Sequence, residues 1–445
     1  MAEQGFHKAK VAGSIPAVGT NKMKIAILGF AREGHSILEF LKKDKEFKDT
    51  EIWILDKSPK VKIPAGVKKI TGPSYLKSLE SFDIVFRSPG IPYLLPEIQK
   101  AKKQGVEISS VTNLFFERCP GTIIGITGTK GKGTTSTLVY KILKAAGRKA
   151  FLAGNIGKPI LDILSEVNKK SLIVFELSSF QLQDLQNSPH IAAVLDVFPD
   201  HLDAHKNLKE YYDAKANIGR YQKSGDKIFF FKNSELSRYA ASKGKGKKIG
   251  VNEKIFRLFL PKDLSVEGTH NFKNAVMAAT VAKSFGVPEK IIMRTVKNFR
   301  GLEHRMEFVK NVSGVRYLND SAAVNPGSAT AALETTGRNT ILIAGGKERG
   351  LDYSNFCKAI KKYAKSVILI GENKNKISKV IKSGGASKSI RIIFANSMSE
   401  AVRLAHREGK PGDIVLLSPA SASFDMFKDY GERGEVFKRA VKKLK

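Results

Sequence analysis

TIIGITGTKGKGTTSTLVYKILKAAG, residues 122–147, decides the fold. An apolar β-branched run leads into a loop rich in glycine and lysine, and the helix-periodic STLVYKILKAAG follows. Strand, loop and helix in that order form the repeating unit of a parallel α/β sheet. Gly128, Gly131 and Gly133 free the backbone to aim N–H groups at phosphate oxygens, the helix N-terminus adds positive potential, and Lys132 is long enough to reach the β and γ phosphates of a nucleoside triphosphate. Gly128, Thr129, Lys130, Gly131, Lys132, Gly133 and Thr134 are therefore the candidate nucleotide loop. The spacing departs from G-x-x-x-x-G-K-[ST], because Gly133 stands where a hydroxyl normally follows the lysine. Thr134 is the nearest replacement as a magnesium ligand. A plain glycine-rich turn is the blander reading; two hydroxyls, a lysine and the strand–loop–helix context favour the nucleotide.

Upstream, KIAILG (24–29), EIWILD (51–56), DIVFRS (83–88) and VEISS (106–110) repeat the alternation of apolar strand and helix. It restarts with SLIVFELSS (171–179) and IAAVLDV (191–197), and again with TILIAGG (340–346), SVILIGE (366–372) and DIVLLSP (413–419). Continuous apolar strands predict sheets covered on both faces. Three such units are expected, at 23–119, 120–300 and 301–445, and residues 1–22 show no periodicity and read as a disordered tail or a spurious start ahead of Met23.

Composition limits the function classes. With 42% hydrophobic and 9% aromatic residues the chain can bury ordinary cores. Two cysteines, Cys119 and Cys357, exclude a disulfide framework and a Cys-rich zinc site, which suits a reducing cytosol. No run approaches the roughly 18 apolar residues of a membrane helix. A net charge of +34 invites a nucleic-acid reading, yet the excess is spread along the chain, and only KGKGKK (243–248) and the terminal VKKLK are local patches. Solvated lysine faces explain it better, and neither specific nucleic-acid binding nor membrane insertion is expected.

Two further clusters carry chemistry. GFAREG, residues 29–34, follows the first strand in the position of a dinucleotide fingerprint, with Asp56 ending the second strand. Ala31 replaces the middle glycine and impairs close backbone approach, which argues against NAD but leaves room for another nucleotide phosphate. Glu176 in ELSSFQL and Asp200, His201, Asp203 and His205 in FPDHLDAH sit just past strands, where α/β sheets hold ligands. Singly, each is more often a cap or a surface residue; together beside the loop they can hold magnesium.

GITGTKGKGTT, GNIG (154–157), ELSSFQL, DHLD, YYDAKANI around Lys215, HNFKN (270–274), GLEHR (301–305) and LNDS (318–321) stand in the order found in Mur ligases, and the resemblance covers Met23 to Lys445. It implies a Rossmann-like N-terminal domain, a central P-loop ATPase-type parallel sheet domain and a C-terminal Rossmann-like α/β domain. It also implies a cytoplasmic, monomeric, ATP- and magnesium-dependent ligase of peptidoglycan precursor synthesis. SPGI (88–91), GGKERGLDY (345–353) and SPASASFDMFKDYGERG (418–434) resemble the branch that adds D-glutamate to UDP-N-acetylmuramoyl-L-alanine through an acyl phosphate.

The resemblance further implies residue roles. Lys132, His201 and Lys215 match catalytic positions; Asn271, Asn274, Arg305 and Asp320 join the loop in binding ATP, the last two from the third domain by hinge closure. Phe30, Ser88, Asn155 and His201 match the UDP-substrate site, with Lys57 and Ser58 a looser match. Arg349, Ser423, Phe424 and Tyr430 match the D-glutamate site, where a guanidinium suits a carboxylate. Two magnesium sites would use Thr134 and Glu176, and His201 with a carbamylated Lys215. Besides Gly133, Ala322 and Val324 depart from the family, which usually carries a lysine and a threonine there. Competing readings are a sister ligase with another acceptor, including the folylpolyglutamate type, and a ligase-like non-catalytic subunit.

Overall fold

In the computed structural model residues 22–154, 159–199, 205–266, 268–383 and 390–445 are described. They form two compact units, one of the described residues from 22 to 259 with 269–295 and the other of those from 260 to 268 with 296–445.

The first unit holds two parallel sheets. In the first, β1 (Lys24–Leu28), β2 (Glu51–Asp56), β3 (Lys68–Thr71), β4 (Ile84–Arg87) and β5 (Glu107–Ser109) lie in the order β3-β2-β1-β4-β5, with α1 (Arg32–Lys43), α2 (Pro96–Lys103) and α3 (Val111–Arg118) between and after them. Strand order reverses between β1 and β4, so the turns leaving these strands, at Gly29 and Ser88, flank the crevice where open α/β sheets bind ligands. The last four residues of β1 are fully enclosed, as a strand covered on both faces requires.

The second sheet takes β6 (Thr122–Thr127), α4 (Lys132–Ala145), β7 (Ala150–Ala153), β8 (Leu172–Glu176), α5 (Ser179–Leu182), β9 (Ile191–Val194), α6 (Leu208–Arg220), β10 (Lys227–Phe231), α7 (Glu235–Ala241) and β11 (Lys247–Val251), followed by α8 (Thr269–Lys283) and α9 (Glu289–Lys297). Its order is β11-β10-β9-β6-β8-β7, which puts β6 between the strands that end near Glu176 and Asp196. One apolar core runs through both sheets, from Ile25 and Phe86 to Phe115, Phe175 and Val194.

The second unit is built from β12 (Glu307–Val312), β13 (Val315–Asn319), α10 (Pro326–Thr336), β14 (Thr340–Ala344), α11 (Ser354–Tyr363), β15 (Ala364–Leu369), α12 (Lys374–Ser383), β16 (Arg391–Phe394), α13 (Met398–Glu408), β17 (Ile414–Leu417) and α14 (Tyr430–Lys442). The order is β12-β13-β17-β14-β15-β16. Here the structure departs from purely parallel pairing: β12 and β13 are antiparallel, joined through Ser313 and Gly314 at φ of 51° and 80°. A two-residue turn with both central φ values positive matches the twist of a hairpin. Among the described residues no helix is long and apolar enough to cross a membrane.

Candidate active site

The nucleotide loop takes the shape its glycines allow. Gly128 has φ +153°, and a Cβ there would come within 2.7 Å of Leu195 Cβ. Gly131, at φ +85°, caps α4 and lies so close to Asn274 that a side chain would overlap Asn274 Oδ1. The helix starts at Lys132, one turn before the STLVY periodicity, with no side chain capping its first N–H groups. That leaves an electropositive helix end beside the glycines, suited to phosphate. Lys132 Nζ donates to the carbonyls of Gly128 and Thr129, both at 3.1 Å, so it arches over its own loop. Thr127 Oγ1 and Thr135 Oγ1 are enclosed without a hydrogen-bond partner among the described residues. Thr134 is half-buried in the same turn, whereas Lys130 stands exposed at the tip.

Neighbouring elements converge on this loop. Thr129 N donates to Asp196 O at 2.9 Å, Phe198 N donates to Thr129 Oγ1 at 2.9 Å, and Tyr211 Oη lies 2.8 Å from that hydroxyl. Lys215, 2% exposed on α6, donates from Nζ to Gly128 O at 2.9 Å, with its ammonium 4.7 Å from the Tyr211 ring centre. Asp196 is paired with Lys273 at 2.5 Å. Asn274 and Asn271 share α8, and Asn274 is the one pressed against Gly131. Glu176 ends β8 opposite Ile126 of β6 and is 7% exposed.

A buried carboxylate beside loop hydroxyls is a fitting donor set for a divalent cation. Lys215 as an amine is a hydrogen donor and becomes a metal ligand only if carbamylated. Among the described residues no group of three or more His, Cys, Asp or Glu is gathered for a metal. Asn155 and His201 lie outside the described residues.

A second recess, of about 440 Å³, opens at the crevice of the first sheet and is lined by Phe30, Glu33, Ser88, Ile91, Gly154 and Phe175 among others. Asp56 shapes its entrance by accepting from Phe30 N and Ser58 N, both at 2.8 Å. Ser88 Oγ donates to Gly29 O at 2.8 Å and ties the two turns together. Thus Phe30 and Ser88 share one cavity with Gly154, the residue before Asn155. Lys57 is exposed and is not among the residues lining it.

The second unit gathers its own polar cluster. Asp320, 6% exposed, accepts from Ser418 Oγ at 2.8 Å and Met306 N at 3.2 Å, and burial pushes its carboxyl up to about 6. Lys347 N donates to Ala422 O at 2.9 Å, joining the loop of exposed Arg349 to that of buried Ser423. Phe424 and Tyr430 are exposed. Arg305 is also exposed, one residue before the Met306 amide that binds Asp320.

Sequence reasoning missed several residues here. Arg433 is 1% exposed and donates to Ser321 Oγ, Ser321 O and Ser421 O at 2.9–3.0 Å, bracing the loops of Ser423 and Tyr430. Arg87 and Asp184 form a buried pair between the first two sheets. His205, which the sequence offered as a metal-site candidate, instead bridges Ser179 Oγ at 2.9 Å and Glu210 Oε2 at 2.6 Å. Arg87 with Asp184, and Arg433 with Ser321, join segments 97 and 112 residues apart and leave no local pattern.

Family models match along the chain: a Mur ligase MurD-like N-terminal domain over residues 23–110, a Mur ligase middle domain over 126–259 and a Mur ligase glutamate ligase domain over 304–421. The UDP-N-acetylmuramoylalanine–D-glutamate ligase of Acetivibrio thermocellus is 37% identical across 95% of this chain and 96% of its own. The enzyme of the same name from Clostridium tetani is 36% identical across 95% and 97%. Among solved structures, MurF from Acinetobacter baumannii aligns with a TM-score of 0.54 at 15% identity, covering 95% of both chains. UDP-N-acetylmuramate-alanine ligase MurC from Thermotoga maritima aligns at 0.53 and 20% identity over 94% of this chain and 99% of its own. These two share the fold.

Proposed function

The chain belongs to the Mur ligase family, and from that membership we propose that it adds D-glutamate to UDP-N-acetylmuramoyl-L-alanine, with ATP hydrolysis driving the step in peptidoglycan precursor synthesis. The observation that carries this reading is the likeness, at 37% identity over 95% of the chain, to a relative named for that reaction.

In this reaction an oxygen of the substrate carboxylate attacks the γ-phosphorus of ATP, the bridging bond to the β-phosphate breaks, and ADP leaves. The deprotonated amine of D-glutamate attacks the resulting acyl phosphate, the carbon–oxygen bond breaks, and inorganic phosphate departs as the amide forms. The barrier is largely electrostatic, because anions must meet. Lys132 donates to two carbonyls within its own loop, and a phosphate would offer its ammonium stronger acceptors. The α4 N-terminus cradles the phosphates, and Asn271 and Asn274 face the adenine nucleotide.

In the same reading residues 23–119 take the nucleotide-sugar, through Phe30, Ser88, Asn155 and His201. Residues 120–300 take ATP, and residues 301–445 take D-glutamate through Arg349, Ser423, Phe424 and Tyr430, with Arg305 and Asp320 serving ATP. Thr134 and Glu176 would hold one magnesium ion, and His201 and carbamylated Lys215 a second. Bound there, magnesium supplies positive charge to the transferring phosphoryl group. The protein acts as a monomer in the cytoplasm, where its charged substrates are made.

The test is phosphate release from ATP with UDP-N-acetylmuramoyl-L-alanine and a panel of amino acids. D-Glutamate should accelerate release. Equal release with L-alanine, L-lysine or no acceptor would overturn the specificity.

A further inference from the structure

Glu33 stands in the first turn of α1, just past the Gly29–Phe30 turn, and lines the cavity that also holds Ser88 and Phe175. Its Oε2 is enclosed and has no hydrogen-bond partner among the described residues. Four polar side chains nearby, those of Arg87, Asp56, Ser88 and Ser36, are committed elsewhere. Arg87 spends all five of its N–H donors: Nε and Nη2 on Asp184 Oδ2 at 2.9 and 2.7 Å, Nη2 also on Phe180 O at 2.9 Å, and Nη1 on Ile91 O and Ser88 O at 2.6 and 3.4 Å. Asp56 accepts from Phe30 N and Ser58 N, Ser88 Oγ donates to Gly29 O, and Ser36 Oγ donates to Asp162 Oδ1 at 2.7 Å.

The charges facing Glu33 are Arg32 on its own helix, Arg87 at the end of β4 and Asp184 after α5, with Asp56 at the end of β2 lining the same cavity. Since Arg87 and Asp184 offset each other, an ionised Glu33 adds negative charge to a recess that must receive a diphosphate. Burial outweighs both arginines and pushes its carboxyl up to about 6. A phosphate brought beside it disfavours the carboxylate further. Phosphate oxygens are acceptors, so a carboxylate there can only repel them, whereas a carboxylic acid has one O–H to donate.

We propose that Glu33 is a specificity residue that engages the anionic nucleotide-sugar as a neutral carboxylic acid, so that substrate binding takes up a proton. This rests on the reading of the cavity as the UDP-substrate site. Affinity is then greatest at acid pH and weakens by up to about tenfold per pH unit above the free protein's titration, until the bound form's own is reached.

The test is calorimetric titration of the full chain with UDP-N-acetylmuramoyl-L-alanine from about pH 5.5 to 8.5, in two buffers of different ionisation enthalpy. The ligand's diphosphate and carboxylate stay ionised throughout this window. The wild-type protein should take up about one proton near pH 8 and lose about tenfold or more in affinity between about pH 6 and 8. Glu33→Gln, neutral at every pH, should take up none and bind more tightly than wild type at the alkaline end. A flat wild-type profile with weaker binding by Glu33→Gln would show a carboxylate accepting from the ligand and would overturn the proposal. If Glu33→Gln does not fold, Glu33→Ala replaces it in the same titration and should take up about one proton fewer than wild type. Binding of ATP without any binding of the nucleotide-sugar would overturn the cavity reading as well.

Discussion

Arg87 and Asp184 meet at 2.7 Å with side chains 0% and 1% exposed, one ending β4 of the first sheet and the other following α5 of the second. Asn113 strengthens the join by donating from Nδ2 to Asp184 O and accepting from Gln186 N, both at 3.0 Å. Burial holds the Asp184 carboxyl above its usual range even with the guanidinium beside it. The pair therefore fixes how the two sheets meet more than it adds net stability.

Removing one partner strands the other charge. Asp184→Leu should destabilise the first unit by about 3–5 kcal/mol, and adding Arg87→Met should restore part of that loss. Urea denaturation of both variants checks this; a double variant no more stable than the single one would show that the stranded charge is not the cost.

Gly131 and Gly147 offer an internal control for the nucleotide loop. Both have positive φ, +85° and +73°, but a Cβ on Gly131 overlaps Asn274 while one on Gly147 meets nothing within 4 Å. Alanine at either position should cost about 1–2 kcal/mol of backbone strain. Gly131→Ala alone should also raise the KM for ATP, by about tenfold or more, a factor that equals roughly 1.4 kcal/mol of binding. Steady-state kinetics on both variants separate the two effects, and equal ATP KM values would remove the packing argument.

Much of this loop was legible because its signal is local: KIAIL and TIIGIT are apolar runs that became β1 and β6 over residues 24–28 and 122–127. KIFFF (227–231), which became β10, lacked such a frame, since a four-residue apolar stretch after a lysine can belong to either element type. EFVKNV (307–312) became a half-buried edge strand, and only its pairing across Ser313–Gly314 makes it antiparallel. Arg433 was illegible for a different reason. Its acceptors Ser321 and Ser421 lie 112 and 12 residues away, and no spacing rule joins them. His205 stood inside a quoted motif, yet Ser179 lies 26 residues before it.

Asp320 gives a pH dependence. Burial holds its carboxyl at about 6 in the fold, above the 3.8 of a free aspartate, so the ionised form disfavours folding. The stability tied to its protonation is complete below the unfolded value and is lost as pH rises through about 6. Asp320→Asn keeps an acceptor for Met306 N and offers its amide to Ser418. It should stabilise the second unit above that pH by about 1–3 kcal/mol, most visibly near neutrality, while lowering ATP-dependent turnover. Thermal unfolding at acid and neutral pH checks the sign; equal gains at both would discard the titration argument.

Lys132 and Lys215 both point at the nucleotide loop, and the chemistry proposed for them predicts different behaviour. Lys132→Ala removes a cation from the phosphates and should abolish turnover with the fold intact, by about a hundredfold or more. Lys215 is nearly enclosed, and as an amine it donates to Gly128 O. Carbamylation would replace that donor with an anion facing a carbonyl, an arrangement that is repulsive unless a cation lies between them. The modification should therefore depend on magnesium, and ¹³C-bicarbonate should label wild-type protein only when magnesium is present. Lys215→Ala should lose activity and regain part of it with added acetate or formate, whose carboxylate supplies the missing oxygens. Full activity of Lys215→Ala without any added carboxylate, read by phosphate release, would rule the carbamate out.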